Sequence, residues 1–163
     1  MFRVLTQIIL LFFALSSPES KAVYQIKFYG GTWETPASES SGTLFKTSLS
    51  TGTLFRFLGS FSYSQGTEST TNIIQGELCL GVSFYPAAFF PKSLIQVFLY
   101  LEAGGLLGTK KPEGAKKSTF QKEAINIGVG FDWNLFKSFG LNFAVEQQKI
   151  EQIRFLIGFF QKY

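Results

Sequence analysis

The chain has 163 residues and a net charge of +4. Neither the size of this charge nor the distribution of the basic residues indicates a nucleic-acid interface, because these residues are few and scattered. It contains no histidine, which removes the usual general base, the common Ser-His and Cys-His nucleophile pairs and the commonest metal ligand. We therefore expect no catalytic site, cofactor or metal. The single cysteine, Cys79, excludes an internal disulfide and is expected to be a small buried filler.

Residues 1–22 have the features of a cleaved signal peptide. A basic start at Arg3 precedes an apolar run from Val4 to Leu15, and a small-x-small cleavage site ends at Ala22. The apolar run is too short to span a bilayer as a helix. We predict that export removes this segment and that the mature chain begins at Val23.

The remainder, residues 23–163, alternates apolar and polar side chains with a period of two, which indicates β-strands. We predict eight strands, at 23–30, 42–49, 53–64, 74–84, 95–104, 124–133, 141–146 and 153–163. Long polar loops are expected at 31–41 and 106–118, and shorter turns at 50–52 and 134–138. Without helices between them the strands form an antiparallel meander, since parallel neighbours need long crossovers.

The two faces of these strands differ in polarity. One face is continuously apolar, with Leu80, Leu99 and Ile127 as examples, whereas the other is mainly Gly, Ala, Ser, Asn and Gln with a few charges. A soluble barrel would hydrate its polar face and carry more charges there. The sequence therefore predicts an all-β, eight-stranded antiparallel up-and-down transmembrane barrel, whose closure satisfies every backbone group.

Several segments resemble a known family. The stretch Gly128–Trp133, the turn through Phe139–Leu141, and Arg154–Phe160 before a terminal Tyr163 are similar to the small eight-stranded outer-membrane barrels of the OmpA, OmpX and opacity-protein kind. The resemblance implies export to the periplasm, insertion by the outer-membrane assembly machinery, with the terminal aromatic strand as its signal, and residence in a Gram-negative outer membrane.

Seven charged residues fall on the predicted inner face. Glu146 and Arg154 are equally spaced about the last hairpin, so we expect them to face each other. Buried charges are tolerated when paired, and an eight-stranded barrel is about wide enough for its own side chains. We predict an ion-pair plug that fills the lumen, with gating for ions or protons as the alternative. Its members are Lys27, Arg56, Glu77, Glu102, Asp132, Glu146 and Arg154.

Two further sets are expected at the ends of the barrel. Lysines of the predicted outer loop either contact lipopolysaccharide phosphates or only keep a solvated loop polar, and no aromatic partner is expected near them. Aromatic residues are expected to form an interfacial girdle at the turn end, with Trp33 and Tyr29 doing the same at the loop end. The lysines are Lys110, Lys111, Lys116 and Lys117, and the turn-end girdle comprises Phe84, Trp133, Phe139 and Tyr163.

Three functions remain open. The first is a non-enzymatic structural barrel that contacts membrane lipid, lipopolysaccharide or other surfaces and conducts weakly or not at all. The second is a barrel that self-associates into a homo-oligomer through its aromatic outer wall, or a small porin-like protein. The third is an exported soluble barrel that binds an apolar ligand.

Overall fold

The chain forms one closed, all-antiparallel β-barrel, as predicted. The computed structural model describes residues 23–36, 40–68, 70–86, 94–114, 116–149 and 152–163, so the predicted signal peptide lies outside the described residues. The strands are β1 (Val23–Thr35), β2 (Ser40–Gly52), β3 (Phe55–Glu68), β4 (Thr71–Phe84), β5 (Ile95–Pro112), β6 (Ser118–Asn134), β7 (Phe139–Gln148) and β8 (Gln152–Lys162). Each pairs with its neighbour in sequence, and β8 closes on β1. Within the described ranges no helix is long and apolar enough to cross a membrane.

The two ends of the barrel carry different connections. Of the described residues outside the strands, Tyr163, 53–54, 85–86, 94 and 135–138 lie at the proximal end, where β1 begins at Val23. The distal end holds 36, 70, 113–114, 116–117 and 149. The expectation of long distal loops is wrong, because most of 31–41 and 106–118 continues as strand. These segments are largely polar, but the hydrogen bonds of a strand ladder join backbone groups and form whatever the polarity of the side chains.

The strands differ in how far they extend distally. The ladder between β6 and β7 begins at Asn126, whereas β6 pairs with β5 as far as Ser118. The β5–β6 hairpin therefore stands above the shorter β7–β8 hairpin. The backbone N–H of Lys149 donates to the carbonyl of Ile125 at 2.7 Å, which ties the top of the short hairpin to the flank of the long one.

The outer face is apolar and the inner face is polar. Leu80 and Ile127 are 74% and 62% exposed, while Glu102, Asn126 and Asp132 are completely buried. This polarity is the reverse of a water-soluble barrel. The described interior therefore differs from the apolar one that a soluble barrel would need to bind an apolar ligand.

Large inward-facing rings lie directly opposite glycines. Phe98 pairs with Gly130, and Tyr100 pairs with Gly128 on the β5–β6 ladder. A Cβ atom at Gly128 would lie 2.2 Å from the Tyr100 ring, so only a glycine leaves the ring this position. The same arrangement seats Phe120 on Gly108, Phe160 on Gly140 and Trp33 on Gly42.

We predict that Gly128→Val lowers the free energy of unfolding by about 1–3 kcal/mol, because the added methyl groups displace the Tyr100 ring from a filled lumen. The matched control is Gly105→Val, where an added Cβ meets nothing within 4 Å. It should change stability by less than about 0.5 kcal/mol. Denaturant unfolding of the barrel in lipid vesicles measures both, and equal losses would contradict the ring–glycine explanation.

Candidate functional site: the ion-paired lumen

Charged side chains from all eight strands meet inside the barrel. Among the described residues, the buried charged side chains are four basic and four acidic, so their formal charges cancel. Moving unpaired ions out of water is costly, and such a set persists only where each charge has partners. The eight residues are Lys27, Lys46, Arg56, Arg154, Glu77, Glu102, Asp132 and Glu146.

The distal cluster is built around two cations that each bridge two carboxylates. The Lys46 ammonium contacts Glu102 Oε2 at 2.6 Å and also Glu146 Oε2. The Arg154 guanidinium binds Glu146 Oε1 through Nη1 at 2.7 Å and Glu77 Oε2 through Nη2 at 2.9 Å. The chain Glu102–Lys46–Glu146–Arg154–Glu77 thus links strands β2, β4, β5, β7 and β8 across the lumen.

Neutral donors complete the distal cluster. The Gln148 side-chain amide donates to Glu77 Oε2 at 2.9 Å, and the Tyr100 hydroxyl donates to Glu146 Oε2 at 2.8 Å. Asn126 Nδ2 donates to Glu77 Oε1, and the Cys79 thiol does the same at 3.1 Å. Three carboxylates facing two cations are therefore stabilised by additional hydrogen bonds.

The proximal cluster has the opposite excess. Lys27 Nζ contacts Asp132 Oδ1 at 2.7 Å, and Gln25 Nε2 donates to the other Asp132 oxygen at 2.9 Å. The Arg56 guanidinium donates to Gln25 Oε1 and lies 3.7 Å from the centre of the Tyr85 ring. Two cations here face one carboxylate, so part of the positive charge rests on amide and aromatic partners.

A column of aromatic rings separates the two clusters. Tyr85 stacks on Phe98 with ring centres 5.3 Å apart, and Phe98 on Tyr100 at 5.9 Å. Lys27 Nζ lies 3.5 Å from the centre of the Phe98 ring. A cavity left between the clusters, next to these rings, has a volume of about 10 Å³, which is enough for about one water molecule.

All seven predicted lumen residues lie in these clusters, and the register sets Glu146 opposite Arg154. Sequence reasoning missed Lys46, as well as the amide of Gln25 and the ring of Tyr85. A signal for Lys46 existed, because the predicted set had three cations for four carboxylates. The phase of the weakly patterned β2 strand concealed it.

The four predicted rim lysines do not act as one group. Lys110 points toward the distal mouth, where it contacts Glu68 at 2.6 Å and lies 5.8 Å from the Phe120 ring centre. The expectation that no aromatic partner lies near these lysines is therefore wrong. Lys111 and Lys117 line a groove on the outer wall, and Lys116 is exposed in the 113–117 connection.

The predicted girdle residues lie at the proximal rim. Trp133, Phe139 and Tyr163 are exposed on the outside, and Phe84 packs on Phe55 with ring centres 5.1 Å apart. The expectation that Trp33 and Tyr29 form a girdle at the distal end is wrong. Trp33 and Tyr29 are 1% and 4% exposed inside the lumen, because their strand phase turns them inward with Lys27.

No group of at least three Cys, Asp or Glu side chains in the described ranges is arranged to hold a metal ion. The clusters instead satisfy their carboxylates with Lys, Arg and amide groups. Such an arrangement fixes these charges in place.

An apolar outer wall around an ion-paired lumen defines a transmembrane-type eight-stranded β-barrel. No protein-family model and no curated protein matches the sequence. Solved structures do match. Neisserial surface protein A (NspA) superposes with a TM-score of 0.69 at 10% identity, over 88% of this chain and 100% of that one.

Two other small barrels give similar matches. The N-terminal β-barrel domain of Pseudomonas aeruginosa OprF has a TM-score of 0.59 at 14% identity, covering 87% of this chain and 97% of that one. The attachment invasion locus protein Ail of Yersinia pestis has a TM-score of 0.55 at 14% identity, with the same coverage. A structure of the outer membrane protein Ail in a phospholipid bilayer nanodisc also matches, with a TM-score of 0.52. The chain therefore shares the fold of small outer-membrane β-barrels.

We predict that Lys46→Met lowers the free energy of unfolding by about 3–5 kcal/mol, because it leaves Glu102 and part of Glu146 buried without their cation. Lys137→Met, in the exposed 135–138 turn, is the matched control and should cost less than about 0.5 kcal/mol. Chemical unfolding in vesicles measures both. If the two variants were equally stable, Lys46 would not be holding the distal cluster together.

Proposed function

We propose that the protein is a non-catalytic barrel of the bacterial outer membrane, closed to ion flow by its own side chains, with a distal rim that binds lipopolysaccharide. The observation that carries the proposal is the combination of an apolar outer wall with a lumen in which each described buried charge has an ionic, hydrogen-bonding or aromatic partner. The apolar wall needs acyl chains around it, and the paired lumen leaves no continuous water path. Insertion by the outer-membrane assembly machinery, through the aromatic β8 strand, belongs to the same proposal.

A closed lumen is supported by its contents. The two ion clusters and the rings of Phe98 and Tyr100 fill successive levels, and an ion passing through would have to break the Lys46 or Lys27 pairs. This supports structural filling over gating. Self-association through the outer wall stays a prediction, which the native mass in detergent tests.

We expect no resolved single-channel steps from the protein in planar bilayers, because side chains block the lumen. The double variant Phe98→Ala, Tyr100→Ala removes the rings between the clusters and should produce measurable steps. Its matched control is Phe57→Ala, Phe61→Ala on the outer wall, which should stay silent. Regular steps from the unaltered protein would contradict the closed-lumen proposal.

The lipid-binding part rests on a polar groove at the distal rim of the outer wall. The groove has a volume of about 700 Å³ and crosses β2 to β5, with Lys111 and Lys117 beside it. The backbone of the glycines at 42 and 66 forms part of its floor. Thr43, Gln65, Thr67, Asn72 and Thr109 add hydroxyl and amide groups, while Ile74 begins the apolar surface below.

This distribution matches an anionic lipid at a membrane surface. Ammonium groups hold phosphates as point charges, the neutral polar groups bond to the headgroup, and the acyl chains run down the apolar wall. Of the four rim lysines, Lys111 and Lys117 line this groove, which supports assigning the contact to them. Lys110 is directed to the mouth of the barrel.

We predict that the double variant Lys111→Gln, Lys117→Gln weakens lipopolysaccharide binding roughly thirtyfold, since each lysine near an anionic surface contributes about 1 kcal/mol. Titration of detergent-solubilised protein with purified lipopolysaccharide measures the affinity. Lys137→Gln at the proximal end is the control and should bind as tightly as the unaltered protein. Unchanged binding by the double variant, with a normally heat-modifiable barrel on a gel, would contradict the rim assignment alone.

A further inference from the structure

The distal mouth of the lumen contains a cavity that the plug does not fill. It has a volume of about 90 Å³ and is lined by side chains from all eight strands. Its floor is formed by Ile73, Gln75 and Leu106 together with Gln148, whose amide is bonded to Glu77 of the distal cluster. The cavity therefore sits on top of the ion-paired plug and opens away from the membrane-facing wall.

Two aromatic residues line this cavity. Trp33 of β1 lies over the glycines at 42 and 66, and Phe120 of β6 lies over Gly108. Because the glycines have no side chains, both rings lie close against the strands and the space between them stays open. An apolar ring face beside polar groups suits a ligand that has C–H faces and hydroxyl edges.

Polar groups around the cavity include donors without partners. Among the described residues, neither the Trp33 indole N–H nor the Gln75 side-chain NH₂ has a hydrogen-bond acceptor, although both side chains are more than nine-tenths buried. Leaving such donors unpaired is costly, and buried donors without acceptors are rare in native structures. A ligand with hydroxyl oxygens, together with small rotations of the Gln75 amide and the Trp33 ring toward the cavity, would supply acceptors.

The charges around the cavity favour no ion of either sign. Lys110 is paired with Glu68, and Lys122, Lys149 and Glu123 share the rim. The excess positive charge of the rim faces the excess negative charge of the distal cluster beneath it. A neutral ligand with many hydroxyl groups therefore fits better than a free anion or cation.

We infer that this mouth cavity, bounded by Trp33, Gln75 and Phe120, is a binding site for a neutral sugar residue. The half-buried Phe120 ring packs on the ring C–H groups of the sugar, and the Gln75 amide and Trp33 indole donors bond to its hydroxyls. The sugar comes either from the saccharide of lipopolysaccharide or from a free glycan outside the cell. The position of the mouth at the outside of the cell rests on the proposed outer-membrane location. The binding site itself does not rest on it.

The protein has two tryptophans, so the variant Trp133→Phe leaves Trp33 as the reporter of the cavity. In this background, detergent-solubilised protein is titrated with glucose, galactose, N-acetylglucosamine and the core oligosaccharide released from lipopolysaccharide. We expect a saturable change in Trp33 emission with a dissociation constant on the order of millimolar for at least one of them. Preference for the core oligosaccharide would identify the cell's own lipid as the source of the sugar. Preference for a hexose would identify a free glycan as the source.

Gln75→Leu should raise that dissociation constant roughly fivefold, because one hydrogen bond is lost. It should not lower stability, since it also removes an unpaired donor. Gln161→Leu, at the exposed proximal end of β8, is the matched control and should bind sugar normally. No saturable response to any of the sugars, or equal affinities for the two glutamine variants, would overturn the inference.

The outcome is separable from that of the proposed function. Heat modifiability and lipopolysaccharide binding by the Lys111 and Lys117 groove are measured on the same preparations. A barrel that inserts and binds lipid but shows no sugar response contradicts the mouth site alone.

Discussion

Closure of the backbone ladder between β1 and β8 is the constraint on which the rest of the structure depends. The seam runs from Gln25 opposite Lys162 to Glu34 opposite Ile153. Once it is closed, every second residue enters a narrow, dry space and every other one meets the surroundings. Size and charge inside are then limited together, which is why the interior combines glycines, large rings and balanced ions.

Glycines and rings satisfy the size limit as pairs rather than individually. Opposite Phe98 and Tyr100, the β6 strand carries glycines at 130 and 128, so one strand supplies volume where its neighbour supplies none. The rings then stack along the barrel axis and insulate one ion cluster from the other. The proximal cluster carries one extra positive charge and the distal cluster one extra negative charge, so the interior is neutral only as a whole.

The sequence predicted the strand number, the two faces and the closed antiparallel order, because period-two alternation depends only on local chain geometry. It also placed the seven predicted charges inside. It could not predict strand ends, since polar residues such as Thr109 and Lys111 extend a ladder without changing its pattern. Lys46 was missed because the period-two phase of the predicted strand at 42–49 is insecure. Trp33 was missed because it lies in the segment 31–41, which the sequence predicts to be a loop.

The ion clusters also restrict how the strands can align. A slip of two residues between β7 and β8 would keep every side chain on its proper face, so hydrophobicity alone would not oppose it. The slip would nevertheless move Arg154 by about 7 Å along the axis relative to Glu146, stranding both ions in a water-poor interior. Misaligned hairpins are thus disfavoured by unpaired buried charges even where the hydrophobic pattern is unchanged. The ion pairs that fill the barrel therefore also select the correct strand register.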